Sequence, residues 1–376
     1  MTFDARHLQT ASRVRGIGRY SKNLIAGFAQ LAPPDIEWTF LRLRNFPAPD
    51  ARLRPPHRDL ATYRLRRPEL SMLALDPLLL SFELPFSRPR IYHSVQLGLP
   101  AVRGYRAVVT IHDLAPLHWP EHYLRLPHSW VGHKAQYALA RRADAIIAVS
   151  EATKRDVVER LGVPVSRVTV IPEAVDPSFD PPHADVGRAL AYRMFGFDGP
   201  FVLYVGQFDP RKNMDGLVSA FARAAEKHGD LRLVIAGDLG KLATFLHDAM
   251  RRGNAPVHRV ALAGQVSDGD LAALYAGAEC LLHPALLEGF GLTPLESLAA
   301  GTPVVGFRAG AVEEVVGDAG LLVENDRPET LGDALIRYLD DAELRSRLRT
   351  RTKARAALFS WERAARDTLA LYRTLA

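Results

Sequence analysis

The segment Glu288-Gly-Phe-Gly-Leu-Thr-Pro-Leu-Glu296 sets two carboxylates around a pair of glycines. An apolar run from Cys280 to His283 leads in, and Gly301 with Pro303 closes a short helical stretch, so the order is strand, turn, helix. At the N-terminus of such a helix the unpaired amides and the positive dipole end favour an anion. Gly289 and Gly291 let that backbone approach a ligand without a side chain in the way. Thr293-x-x-Glu296 also reads as a capping box with Pro294 at the first helical position, which would give Glu296 a purely local role. Glu288 has no such explanation, because it follows an apolar strand, precedes glycine and lacks a helical partner.

Arg211 and Lys212 form a second constellation. They precede Asn213, a good cap for a helix carrying Leu217, Ala220, Phe221 and Ala224. Two cations there gain nothing from the helix dipole, so an anionic ligand is the simpler reason for them. His112-Asp113 ends the buried strand Ala107 to Ile111, at the carboxyl edge where an α/β sheet presents ligand residues. A lone histidine is usually structural, but this position places it on a ligand-edge loop. Gly16 and Gly18 lie between an expected strand, Thr2 to Leu8, and a helical run through Leu24, Ile25, Phe28 and Leu31. Such a pair can cradle a phosphate, and is as often a tight turn.

Other clusters carry less. His118, His122, His128 and His133 suggest a metal, but proline separates the histidines of His118-Trp-Pro-Glu-His122 and no cysteine or carboxylate grouping completes a site, so no metal is expected. The single cysteine, Cys280, excludes an internal disulfide and reads as a small core residue.

The elements that must position these residues follow from length and rhythm. With 376 residues, 48% hydrophobic and 24% charged, the chain can bury two cores. Both halves alternate short apolar strands with helical stretches, the rhythm of parallel sheets. An N-terminal domain over 1–180, a C-terminal domain over 181–358 and a final helix over 359–376 are expected, with the linker at about 176–196, where Pro177, Pro181 and Pro182 cluster.

The net charge of +6 is uneven: residues 1–180 hold 25 Lys and Arg against 17 Asp and Glu. A basic half suits an anionic acceptor or an anionic membrane surface. No basic-aromatic interleaving accompanies it, so nucleic acid is not an expected partner. No signal peptide is recognised, and the longest apolar run, Leu70 to Pro85, is broken by Asp76, Pro77 and Glu83, so a cytoplasmic protein is expected. Within 44–90, Arg52, Arg54, Arg58, Arg64, Arg66 and Arg67 precede the run Leu70 to Leu84. This stretch reads either as an amphipathic helix facing a lipid-linked acceptor or, the favoured reading, as an arginine-decorated connection with a core helix.

Glu288-Gly-Phe-Gly-Leu-Thr-Pro-Leu-Glu296 followed by Ala299-Ala-Gly-Thr-Pro-Val-Val-Gly306 resembles the signature of the family-4 glycosyltransferases, as do Arg15-Gly-Ile-Gly-Arg-Tyr20, His112-Asp-Leu114 and Arg211-Lys-Asn213. These are retaining, metal-independent enzymes of GT-B fold, α/β proteins with two Rossmann-like doubly wound domains facing across a cleft. The final helix returns to the first domain in that fold. The resemblance implies transfer of a hexose from a nucleotide diphosphate sugar to a hydroxyl of a glycan or lipid-linked saccharide. GDP-mannose is the first expectation for the donor and a UDP-sugar the second, with no cofactor beyond it.

By the same resemblance His112 and Glu288 are the catalytic residues, and Gly16, Arg211, Lys212, Val266, Leu292 and Glu296 bind nucleotide and phosphates. Gly289, Phe290 and Gly291 meet the donor sugar. Arg15 stands where many members carry glycine and Gln207 where many carry arginine. Asp268-Gly-Asp270 looks like the motif of metal-dependent glycosyltransferases but opens a helix, and reads better as capping carboxylates. A sugar-nucleotide epimerase of the same fold and a non-catalytic partner subunit are the alternatives.

Overall fold

Near-continuous apolar runs such as Ala107, Val108 and Val109, or Val202 and Leu203, can be buried on both faces only in a sheet covered by helices on each side. The computed structural model describes residues 1–14, 16–46, 56–64, 68–125, 127–177, 179–207, 209–238, 240–252, 255–325, 327 and 329–376. It divides into two compact units, Met1–Asp176 with Phe359–Ala376, and Pro177–Leu358.

In the first unit seven strands, β1 (Thr2–Asp4), β2 (Trp38–Leu43), β3 (His57–Thr62), β4 (Ile91–Ser94), β5 (Arg106–Ile111), β6 (Ala145–Ala148) and β7 (Val168–Val170), form a parallel sheet in the order β3-β2-β1-β4-β5-β6-β7. In the second, β8 (Phe201–Val205), β9 (Arg232–Ala236), β10 (Val260–Gly264), β11 (Leu281–His283), β12 (Val304–Phe307) and β13 (Gly320–Val323) form a six-stranded parallel sheet ordered β10-β9-β8-β11-β12-β13. Strand order reverses between β1 and β4 in one sheet and between β8 and β11 in the other. At such a reversal the neighbouring crossovers leave in opposite directions, and the loops beyond the carboxyl ends open a crevice. Both units are thus Rossmann-like.

Within the first unit the helix Trp361–Leu375 packs on the helix Gly16–Leu31. Gly27 is required there, since a Cβ would lie 2.8 Å from Ala365 Cβ. Trp361 Nε1 donates to Val175 O (3.0 Å) and His93 Nδ1 meets Tyr372 OH (2.5 Å).

Several expectations are corrected. β1 stops at Asp4 instead of reaching Leu8, because Arg6 turns back and donates to both carboxylate oxygens of Asp4 (2.8 and 2.6 Å). The same guanidinium reaches Asp76 (2.7 Å), which also binds Arg64 (2.8 Å), itself paired with Glu83 (2.8 Å). Burial alone would raise Asp4, but Arg6 outweighs it and holds the carboxyl at about 2. Gly16 and Gly18 form no loop: Gly16 opens the helix, and Gly18 lets its first turn press on the preceding turn, where a Cβ would be 2.2 Å from Ser12 O. The stretch expected as linker contains a helix, Ala184–Phe195, whose Gly187 would place a Cβ 2.0 Å from Ala273 O. Arg15, Arg52, Arg54, Arg66 and Arg67 lie outside the described residues.

Candidate functional site

Two loops meet at the reversal point of the second unit. The first follows β8, runs through a short turn at Pro210–Lys212, and enters the helix Met214–Lys227. Asn213, in the left-handed region at φ 52°, caps that helix by accepting from Gly216 N (3.1 Å). The second loop follows β11. Leu286 N donates to Arg211 O (2.8 Å) and Asn213 Nδ2 to Pro284 O (3.1 Å), so the two loops are knitted together at the backbone. Beyond β12, Ala311 N donates to Glu288 O (3.0 Å). Gly310, at φ 60°, allows that contact, because a Cβ there would lie 2.2 Å from the same carbonyl.

This framework brings Lys212 Nζ to 2.5 Å from Glu288 Oε1, with side chains only 13% and 8% exposed. His283 Nε2, at the end of β11, lies 3.3 Å from the same oxygen, close enough for electrostatic coupling though not aligned as a hydrogen bond. Burial would raise the Glu288 carboxyl, but the Lys212 ammonium, then His283 and Arg211, hold it well below the usual carboxylate range. Burial also lowers His283, against the pull of Glu288, so the neutral ring is favoured. Glu288 is therefore a fixed anion with acceptor capacity beyond its lysine. Arg211 lies beside Asp209 (3.5 Å) and contributes a second cation at the same edge. The Tyr204 hydroxyl, near the end of β8, is buried with no hydrogen-bond partner among the described residues.

The turn after Glu288 delivers an open helix end. Gly291 takes φ 105°, which L side chains rarely adopt, and the helix Leu292–Ala299 follows. The first bond into it is Leu295 N to Gly291 O (3.1 Å), so the amides of Leu292 and Thr293 sit at its unclosed start. Gly289 and Phe290 are buried within the turn. The capping-box alternative for Glu296 is corrected: the N-cap position is Gly291, no side chain among the described residues caps it, and Glu296 Oε2 accepts from Tyr275 OH (3.0 Å). Val266 is half-buried just beyond β10, two strands from the reversal.

In the first unit His112 follows β5. Its Nδ1 meets Glu173 Oε1 (2.8 Å) and its Nε2 donates to Val95 O (3.1 Å). Both nitrogens face acceptors, which suits a ring carrying two protons; burial would lower its pKa, but the Glu173 carboxylate outweighs this and raises it. Tyr20 packs edge-on against the ring with centroids 4.8 Å apart. Gly16 lies exposed at the first position of its helix.

Sequence reasoning singled out neither Glu173, His283, Tyr275 nor Tyr204. His283 was visible as the last residue of an apolar strand beside the key loop, whereas Glu173 depends on a contact 61 positions away from His112. Among the described residues no group of three or more His, Cys, Asp or Glu is arranged for a metal ion. His118 is instead 2.7 Å from Asp156. Asp268 and Asp270 occupy the first turn of the helix Asp268–Gly277, capped by Ser267, which accepts from Asp270 N (3.1 Å). Cys280 is fully buried in the core, which pushes its thiol up.

Comparison with known proteins bears on the family and the fold. The family model described as "Glycosyltransferase Family 4" matches residues 14–179, and that described as "Glycosyl transferases group 1" matches residues 196–355. O-antigen chain mannosyltransferase B of Escherichia coli is 29% identical over 325 residues, covering 85% of this chain and 84% of the relative. The serotype-specific mannosyltransferase WbdA of Escherichia coli is 28% identical over 71% of this chain, which spans only 33% of WbdA. Among solved structures, sucrose-phosphate synthase from Thermosynechococcus elongatus superposes with TM-score 0.79 at 22% identity, over 100% of this chain and 98% of that one. Anabaena HepE in complex with UDP and glucose gives 0.76 at 18% identity, over 99% of each chain. Two Rossmann-like sheets, a family match to each half, and relatives and structural neighbours of one kind converge: the chain belongs to the family-4 glycosyltransferases, with the GT-B fold.

Proposed function

We propose that this glycosyltransferase moves a hexose from a nucleotide diphosphate sugar to a hydroxyl of a glycan or lipid-linked saccharide, with retention of anomeric configuration and without a metal ion. The observation that supports it most is the Glu288–Lys212 pair at the reversal between β8 and β11, with Arg211 beside it. Departure of a nucleotide diphosphate requires stabilisation of developing negative charge, while the sugar carbon gains oxocarbenium character. Arg211, Lys212 and the open amides of Leu292 and Thr293 are suited to the diphosphate. Glu288, fixed as an anion, would accept from a donor-sugar hydroxyl, and Glu296 from ribose hydroxyls.

Within the first unit, taken by itself, His112 would bind a ligand oxygen by exchanging Val95 O at Nε2, and the Gly16 amide is suited to an anion. In the same-face route the bond from the sugar carbon to the phosphate oxygen breaks as the acceptor oxygen bonds that carbon, and the acceptor proton passes to the leaving phosphate. GDP-mannose is the first choice of donor, since O-antigen chain mannosyltransferase B and WbdA are mannosyltransferases. A UDP-sugar is the second, since HepE was captured with UDP. Similarity to transferases disfavours the epimerase and partner-subunit alternatives. We place the activity on the cytoplasmic side.

The test is product analysis. Purified protein is incubated with GDP-mannose or UDP-hexoses, an oligosaccharide acceptor and EDTA, and the product's anomeric coupling is read by NMR. A retained anomeric centre, with turnover lost at least about 100-fold in Glu288→Gln, is expected. Inversion, metal dependence, or wild-type turnover in the variant would overturn the reading.

A further inference from the structure

The helix Pro68–Glu83 and the turn Leu84–Ser87 present two unlike faces. Asp76, Leu80 and Leu84 point inward and are buried. Leu75, Leu78, Phe82 and Phe86, spaced three, four and four residues apart, fall on the opposite side and are 43%, 61%, 74% and 83% exposed. Val102, 74% exposed, adjoins them, since Val102 N donates to Ser81 Oγ (3.0 Å) and Ala101 N to Pro77 O (2.8 Å). The favoured expectation of a core helix therefore describes one face of it, and the amphipathic alternative describes the other. A contiguous apolar patch of this kind marks an interaction surface.

Its charge surroundings select the partner. One groove holds Phe86 together with Arg58, Arg88 and Arg90; of its acids, Asp35 is bound by Arg373, Asp59 by Arg42, and Glu37 lies near the N-terminal ammonium. A second groove holds Val102 together with Arg90, Arg103, Arg106 and Arg142. The acidic residues of the helix do not offset them: Asp76 is turned in to Arg6 and Arg64, and Glu83 is paired with Arg64. Asp144, in the second groove, is already bound by Arg103 and Arg106. Apolar side chains flanked by arginines suit a surface with an acyl layer beneath anionic headgroups. Among the described residues no helix is long and apolar enough to cross a membrane, so the segment would lie along such a surface.

We propose that this face of the first unit docks on an anionic lipid bilayer, with Leu78, Phe82, Phe86 and Val102 entering the interface and Arg58, Arg88 and Arg90 meeting headgroup phosphates. This surface is separate from the residues assigned to the donor, so its test does not depend on them.

The test is co-sedimentation of the full chain with vesicles of phosphatidylcholine alone, or mixed with phosphatidylglycerol, at about 0.05 and about 0.5 M salt. Sedimentation velocity without lipid runs in parallel. Binding to the phosphatidylglycerol vesicles is expected, weakened by salt. It should fall at least about tenfold in Leu78→Ser/Phe82→Ser/Phe86→Ser and separately in Arg88→Ser/Arg90→Ser, with unchanged thermal midpoints because all five side chains are exposed. The proposal is overturned by absence of vesicle binding, by binding that neither variant alters, or by a dimer that the apolar variant dissolves while vesicle binding persists.

Discussion

Replacing Lys212 with methionine keeps the length of the side chain and removes its charge from beside Glu288. The pair is separated by 2.5 Å and largely shielded from water. At an effective dielectric of about 20, unit charges about 4 Å apart attract by about 4 kcal/mol. Removing one partner of a buried pair costs about 3–5 kcal/mol, because the other stays desolvated and unpaired. Arg211 remains as a nearby cation, which puts the loss at the lower end, about 3 kcal/mol. For a domain of this size each kcal/mol moves the thermal midpoint by about 2–4 °C, so a fall of about 6–12 °C is expected. The pH dependence has a definite sign. In the wild type, Glu288 is held below its ordinary 4.5, so its contribution is present above that pH and is lost as pH falls. Without Lys212, burial dominates and raises the carboxyl, which can then escape the penalty by protonation. The deficit of the variant should therefore be largest near neutrality and shrink towards pH 4, and Lys212→Met/Glu288→Gln should recover most of it. Calorimetric melts of the three proteins across pH measure this. A loss below about 1 kcal/mol, a pH-independent loss, or a double variant no better than the single one would refute the electrostatic reasoning.

The other perturbations probe the supports of the site. Glu173→Gln removes the charge that raises His112, so burial should bring the imidazole pKa below 6.5, read by NMR titration; an unchanged value would deny the pairing. In the wild type the raised pKa means that this pair's stabilisation is complete below about 6.5 and is lost as pH rises through the folded value. Gly310→Ala forces a side chain into the left-handed region against Glu288 O, which should cost about 2–4 kcal/mol in a thermal melt and weaken donor binding; a melt unchanged from wild type would contradict the packing.

The alternation of strands and helices, and the position of Arg211, Lys212 and Glu288 on loops after strands, were legible because they follow from local pattern. Apolar runs with glycine or asparagine exits mark strand ends, and strand ends in a doubly wound sheet are where ligands are met. What escaped the sequence was held by distant contacts. β1 looked longer than it is because Arg6 and His7 gave no sign that a guanidinium would be buried against Asp4 and Asp76, 70 positions further along for the latter. Glu296 looked like a cap because its spacing from Thr293 permits one, and only the packing of Tyr275 shows where its oxygen is engaged. The helix Ala184–Phe195 was hidden by the prolines before it, and by Gly187, whose role is to admit a neighbouring helix rather than to end its own. The outward apolar face of the helix Pro68–Glu83 was ambiguous for a related reason: a run of leucines does not state which of them face the core.

The most direct measurement of the donor site is a calorimetric titration of GDP and of UDP into the wild type and into Arg211→Ala, whose side chain is partly exposed and bears less on the fold than Lys212. One of the two nucleotides is expected to bind the wild type and to lose at least about tenfold in affinity, about 1.4 kcal/mol, in the variant. No binding of either nucleotide, or equal affinity for both proteins, would contradict a diphosphate held at the β8–β11 edge.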